Sequence, residues 1–114
     1  MRRVIIESPF AGDTERNLGY ARACLRDCLL RGEAPLASHL LYPQALDDDI
    51  AHERSLGMAA GWVWFAAAEA MVVYTDFGIS EGMRRGIERA KSEALAIEYR
   101  CLDLDSELSE EISQ

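Results

Sequence analysis

Short runs of β-branched and apolar residues alternate along this chain with longer segments that have helical periodicity. The strand-like runs are residues 3–7, 34–37, 71–75 and 96–100. Parallel strands need a crossover connection, so this alternation predicts a parallel sheet with right-handed crossovers. We therefore predict an α/β fold, a Rossmann-like three-layer domain with a short parallel sheet of four or five strands in the order 2-1-3-4.

Residues that commonly cap helices mark the predicted helix ends. They are Asp13 or Thr14 before the first helix, Gly32 after it, Asp47 to Asp49 before the second helix, and Ser80 before the third. The second helix is predicted to run from about Ile50 to Glu69. The segment that precedes it, residues 38–43, is predicted to be irregular because it leaves an edge strand that contains a proline.

The length of 114 residues allows one domain with one core. We place this domain at residues 1–101 and expect an acidic tail at residues 102–114. The last twelve residues contain no Lys or Arg but several carboxylates, so this stretch is predicted to be solvated, with at most a helical turn.

The net charge of −8 argues against a surface that binds polymeric nucleic acid, since such surfaces need clustered Lys and Arg. No apolar stretch is long enough to span a bilayer, and no membrane partner is expected. The first residues lack an apolar signal segment and the three cysteines lack a disulfide pattern, so we expect a cytoplasmic protein.

Cys24 and Cys28 stand four residues apart on the first predicted helix, and Cys101 follows the last strand. Two cysteines at this spacing could share a metal ion, but neither a nearby His nor a third Cys completes a ligand set. We interpret them as buried thiols and expect neither a metal nor a cofactor.

The segment 57–68 is apolar nearly all round, which is unusual for a surface helix. Either the fold covers both of its faces, or one face packs against another copy of the chain. The second alternative fits a small protein better, and it predicts a homodimer or higher homo-oligomer through residues 57–68. Trp62, Trp64 and Phe65 are interpreted as packing residues rather than as base-stacking residues.

In open α/β sheets the ligand binds beyond the carboxyl ends of the strands, where the strand order reverses. Three segments, 8–13, 38–44 and 76–82, follow the first three strands. Within these segments we predict that the ligand is bound by the polar side chains, by the glycines of tight turns and by the two ring-containing residues after the first strand. These residues are Ser8, Pro9, Phe10, Gly12, Asp13, His39, Asp76, Gly78, Ser80 and Gly82. A structural role is the alternative for several of them, as helix caps, turn glycines or, for His39, a hydrogen-bonded histidine.

Asp76 follows a buried strand, where a carboxylate is well placed to accept a ribose hydroxyl. The backbone amides at the start of the helix after Ser80 could hold a phosphate. These two features predict a nucleoside or nucleotide as the ligand. Motifs of other enzyme classes, such as GxSxG and GxxxxGK[ST], do not occur.

Residues 5–13 and the segment from Asp76 to Ala90 resemble the nucleoside 2-deoxyribosyltransferase-like superfamily. The chain is most similar to a bacterial and phage branch with a Ser-Pro-aromatic-Ala-Gly-Asp motif and a His-Leu-Leu-Tyr-Pro-Gln motif, and the resemblance covers residues 2–101. It implies cleavage of an N-glycosidic bond by a glutamate nucleophile. The resemblance also implies that Ser80 contacts a phosphate, as in the subgroup that hydrolyses deoxynucleoside 5′-monophosphates.

The position that corresponds to the nucleophile holds Gly86, which has no side chain to attack with. The first hypothesis is therefore a nucleotide-binding domain without the chemistry of the superfamily. The second is an active N-glycosidase or transferase with a displaced carboxylate, Glu81 or Asp76, and with His39 as an acid. The third is a protein-interaction module that uses residues 57–68.

Overall fold

Four parallel strands form the sheet of the computed structural model, which describes residues 1–104. They are β1 (Arg3–Glu7), β2 (Ala34–Leu36), β3 (Ala70–Tyr74) and β4 (Ala96–Arg100). Their order is β2-β1-β3-β4, and every neighbouring pair is parallel. The predicted α/β class and strand order are confirmed.

Four helices connect and cover the strands: α1 (Thr14–Leu30), α2 (Ser38–Leu41), α3 (Ala51–Val63) and α4 (Glu81–Ser92). Two of the predicted caps are confirmed. The Asp13 carboxylate accepts a hydrogen bond from the Arg16 amide at 3.1 Å, and the Ser80 hydroxyl accepts one from the Met83 amide at 3.3 Å. Each cap satisfies an amide that has no partner within its helix.

The middle of the chain differs from the prediction. Residues 38–43 are not irregular, because α2 and a 3₁₀ turn at Tyr42–Gln44 occupy them. Helix α3 begins after Ile50 without a side-chain cap, since the Asp47 carboxylate instead accepts from the Asp49 amide in a local turn. The α-helical part ends at Val63 and tightens into a 3₁₀ turn at Trp64–Ala67. The chain must leave the helix here because β3 begins at Ala70.

The core lies on both faces of the sheet. Val4 and Ile6 of β1 pack on the α1 side, and Ile5 packs on the α4 side. This alternation has a period of two residues, so it also directs Glu7 toward α4. Cys24 and Cys28 of α1 are fully buried against the sheet, which confirms their interpretation as buried thiols.

The chain beyond β4 stays attached to the fold as far as it is described. The Leu102 amide donates to both oxygens of the Asp76 carboxylate, at 2.9 and 3.1 Å, and Leu102 and Leu104 pack on the α1-side core. The first residues of the predicted tail are therefore packed rather than solvated, because their leucines bury apolar surface. The rest of that tail, residues 105–114, lies outside the described residues. Across residues 1–104, no helix is both long and apolar enough to cross a membrane.

Candidate functional site

A cavity of about 290 Å³ opens at the carboxyl end of β1, between the α2–α3 segment and the start of α4. Most of its wall is apolar, and its polar groups come from the end of β1 and from α2, α3 and α4. The residues that matter below are Glu7, Ser8, Phe10, His39, Met58, Trp62, Phe65, Ser80, Glu81, Gly82 and Gly86. An apolar enclosure with a few convergent polar groups is the usual form of a small-molecule site.

Asn17 of α1 holds the loop that forms one rim of the cavity. Its side chain is buried, and its amide nitrogen donates to the backbone carbonyls of Phe10 and Ala11, both at 3.0 Å. Its carbonyl oxygen accepts from the Arg16 guanidinium at 3.1 Å. Our sequence reasoning missed this residue, although an asparagine on the inward face of a predicted helix signals a polar contact.

Glu7 brings a carboxyl group into the cavity at the point where β1 ends. Among the described residues this carboxyl has no hydrogen-bond or salt-bridge partner. It lies against α4: a Cβ atom built on Gly86 would meet its Oε2 atom at 2.1 Å. Burial raises the pKa of Glu7 from 4.5 to about 8, so the group carries its proton at neutral pH.

Ser8 and His39 form a second polar feature of the wall. The Ser8 hydroxyl lies 2.7 Å from the His39 Nε2 atom, which links the end of β1 to α2. Burial lowers the pKa of His39 to about 4, so its ring is neutral at neutral pH. A neutral imidazole can accept or donate one proton in a hydrogen bond, and here that bond orients the serine.

The first turn of α4 forms the third polar feature. Ser80 and Gly82 line the cavity. The backbone amides of Glu81 and Gly82 have no partners within the helix, whereas the Met83 amide already donates to the Ser80 cap. A Cβ atom built on Gly82 would meet nothing within 4 Å, so the approach to these amides is open. The helix dipole adds partial positive charge here, which favours an anionic group.

The structure brings together six of the eleven residues predicted for the site. Those that line the cavity are Ser8, Phe10, His39, Ser80, Glu81 and Gly82, and those that do not are Pro9, Gly12, Asp13, Asp76 and Gly78. Gly12 and Gly78 have φ angles of +97° and +83°, which glycine adopts most easily, so both serve the backbone of their turns.

Two carboxylates that were predicted as catalytic have other partners. Asp76 accepts from the Tyr20 hydroxyl and from the Leu102 amide, so it joins α1 to the chain after β4. Glu81 is exposed and forms ion pairs with Arg84 at 3.0 Å and with Arg85 at 3.8 Å. Within the cavity wall, the carboxyl groups of Glu7 and Asp48 have no hydrogen-bond or ion-pair partner among the described residues.

The outer face of the α3 segment presents apolar side chains to solvent. Val63 is 74% exposed, Leu56 57% and Trp64 50%, while Trp62 and Phe65 on the opposite face line the cavity. The Trp64 indole donates to the Tyr42 hydroxyl at 2.8 Å. The interpretation of Trp62 and Phe65 as packing residues is therefore incomplete, because both side chains also line the cavity.

No curated protein matches the chain. A family profile described as "Domain of unknown function (DUF7768)" matches residues 2–100, which include all four strands and every residue of the cavity wall. The chain belongs to this family.

Proposed function

We propose that the cavity binds a nucleoside or nucleotide, and that a nucleoside monophosphate fits it best. The observation that carries this proposal is the position of the cavity, where the first turn of α4 and the aromatic side chains of Phe10 and Trp62 meet the end of β1. In this arrangement one ligand can place an anionic group at the start of α4 and an apolar ring against the aromatic side chains. The ligand class is the one predicted from the sequence.

The size of the cavity and the net charge of the protein narrow the choice of ligand. A cavity of about 290 Å³ is near the lower limit of small-molecule sites, which span roughly 300–1,000 Å³. The net charge of −8 disfavours a polyanion that would lie along the surface. A small monoester, held by the backbone amides of α4 rather than by a cluster of cations, satisfies both conditions.

Thermal unfolding in the presence of nucleosides, nucleotides, free bases and sugar phosphates tests the proposal. A ligand at 100 times its Kd is expected to add about 2.7 kcal/mol, which corresponds to a rise in Tm of roughly 10 °C. Gly82→Asp is expected to abolish the shift by phosphorylated ligands through charge repulsion, while an acidic residue in the first turn leaves the helix stable. Gly82→Asn is the matched neutral control. If no member of the panel raises the Tm, the proposal is wrong.

A second candidate function, self-association, is favoured by the exposed side chains of Leu56, Val63 and Trp64. These three side chains are uncharged, so a second copy could bury them without placing carboxylates of two acidic chains at the centre of the contact. Such a dimer would use the same patch on both copies, as a two-fold interface does. The occupant that we propose is therefore a second copy of this chain.

Val63→Glu is expected to convert an associated form into a monomer, because it places a charge in the centre of the apolar face. Size-exclusion chromatography with light scattering measures this change. Leu30→Glu, at a leucine of α1 that is 72% exposed, makes the same replacement in another layer and serves as the control. A wild-type chain that is monomeric at high concentration contradicts the proposal.

A further inference from the structure

Two glycines of α4 bring the Glu7 carboxyl close to the turn at which an anion is proposed to bind. Gly82 and Gly86 are four residues apart, so they lie on the same face of the helix, about 6 Å apart along its axis. Both line the cavity, and the Oε2 atom of Glu7 fills the space where a side chain at position 86 would begin. The carboxyl group therefore lies about one helical turn from the free amides of Glu81 and Gly82.

The charge of Glu7 acts directly on an anion at this turn. Neither glycine places a side chain between the two groups, and within residues 1–104 Glu7 has no ion-pair partner that would offset its charge. Two unit negative charges about 6 Å apart weaken binding roughly 100-fold at an effective dielectric constant of about 20. When the carboxyl holds its proton, this repulsion is absent.

We propose that the cavity binds an anionic ligand strongly only while Glu7 holds its proton, so that pH controls ligand affinity through this residue. The inference rests on the proposed binding function and adds a regulation to it. It requires no reaction in the cavity. Because coupling between two sites is reciprocal, a bound anion also makes the proton of Glu7 harder to remove.

The pH range of this control follows from the surroundings of the carboxyl group. Burial raises the pKa of Glu7 to about 8, and no neighbouring charge contributes to the shift. The group is therefore mostly neutral at pH 7 and mostly charged at pH 9. Affinity for an anion is expected to fall between these two values.

Other ionisable groups face the cavity, and their titration must be separated from that of Glu7. The pKa of His39, about 4, lies well below the range in question. Asp48 is the closest counterpart of Glu7, because its carboxyl also lacks a described partner, but it belongs to the segment before α3. Among the described residues, β3 and the 3₁₀ turn before it add no ionisable group to the wall. The complete set besides Glu7 is His39, Tyr42, Asp48, Glu53, Arg54 and Glu81.

Isothermal titration calorimetry on the full chain tests the proposal with two probes. They are the nucleoside monophosphate that gives the largest thermal shift and the nucleoside with the same base. A phosphate monoester has its second pKa near 6, so its charge is nearly constant from pH 7 to 9. Over this range the Kd of the monophosphate is expected to rise about tenfold for the wild type, whereas that of the nucleoside should change little.

Two variants assign the effect to one carboxyl group. Glu7→Gln keeps the size and neutrality of the protonated side chain, so its Kd for the monophosphate is expected to stay constant from pH 7 to 9. Asp48→Asn removes the other carboxyl without a described partner and is expected to keep the tenfold change. The comparison of the two probes on the wild type does not depend on how well either variant folds.

Proton uptake gives a second readout that a purely structural effect would not change. Calorimetry in two buffers of different ionisation enthalpy counts the protons taken up on binding. At pH 8.5 the wild type is expected to take up about half a proton per bound monophosphate, and Glu7→Gln none. The inference is overturned by a Kd that is constant from pH 7 to 9, by a change that persists in Glu7→Gln, or by an equal change for the nucleoside. If no nucleotide binds at any pH, the proposed function is wrong as well.

Discussion

Raising the pH from 6.5 to 8 is expected to lower the free energy of unfolding by roughly 1 kcal/mol per pH unit, and Glu7→Gln is expected to abolish this decline. The folded pKa of Glu7, about 8, lies above its ordinary value of 4.5. The folded chain therefore keeps a proton that the unfolded chain has lost. The stabilisation is complete below pH 4.5 and is lost as the pH rises through 8.

The contribution of His39 to the free energy of unfolding changes with pH in the opposite direction, and it affects the stability curve at lower pH. Its folded pKa of about 4 is below the ordinary value of 6.5, so its contribution is present above pH 6.5 and is lost as the pH falls through 4. Between pH 4.5 and 6.5 the two slopes oppose each other, and we expect a nearly flat curve. Above pH 6.5 only the slope of Glu7 remains of the two.

Denaturant unfolding at half-unit pH intervals measures this effect, with Glu88→Gln as a control that removes an exposed carboxylate from α4. The wild type and Glu7→Gln are expected to differ little near pH 5 and to diverge steadily toward pH 8. Parallel curves for these two proteins from pH 5 to 8 would show that the Glu7 carboxyl is ordinarily solvated in the folded chain.

Gly86→Ala is expected to destabilise the wild type by about 1 kcal/mol and to stabilise Glu7→Ala by about 1 kcal/mol. In the wild type the new methyl group meets the Glu7 carboxyl at a distance that forces it to rotate into the cavity. This movement costs more than the gain in helix propensity. Without the carboxyl the space is free, and only the gain remains.

A double-mutant cycle over positions 7 and 86 therefore has an expected coupling energy of about 2 kcal/mol. Gly82→Ala is the matched control, because it lies on the same helix and its new methyl group meets no atom within 4 Å. It should show no coupling to Glu7→Ala. Additive effects at positions 7 and 86 would mean that the two residues do not share this space.

The strands and two of the three predicted helix starts follow from local chemistry, which explains why the sequence predicted them well. A β-branched run such as residues 3–7 leaves few alternatives, and Asp13 and Ser80 cap their helices through their own side chains. The segment 38–50 could not be predicted in the same way. Its short helix and turns depend on packing against α1 and α3, not on a local pattern.

The candidate site was predicted in position but not in detail. The rule for parallel sheets selects the edge at which the cavity opens. The partners of Asp76 come from α1 and from residue 102, which are distant in sequence. The direction of the Glu7 side chain could be predicted from the alternation of β1, since Ile5 and Glu7 share the face toward α4. The contact between Glu7 and Gly86 could not be predicted, because it depends on how closely α4 approaches β1.

Asn17 lowers the conformational entropy that the rim of the cavity would lose when a ligand binds. Its two hydrogen bonds fix the carbonyl groups of residues 10 and 11, so this rim is already ordered. Immobilising a backbone residue costs about 1–2 kcal/mol, and a loop that is preorganised avoids that penalty on binding. We therefore expect this rim to add little to the entropic cost of binding a ligand in the cavity.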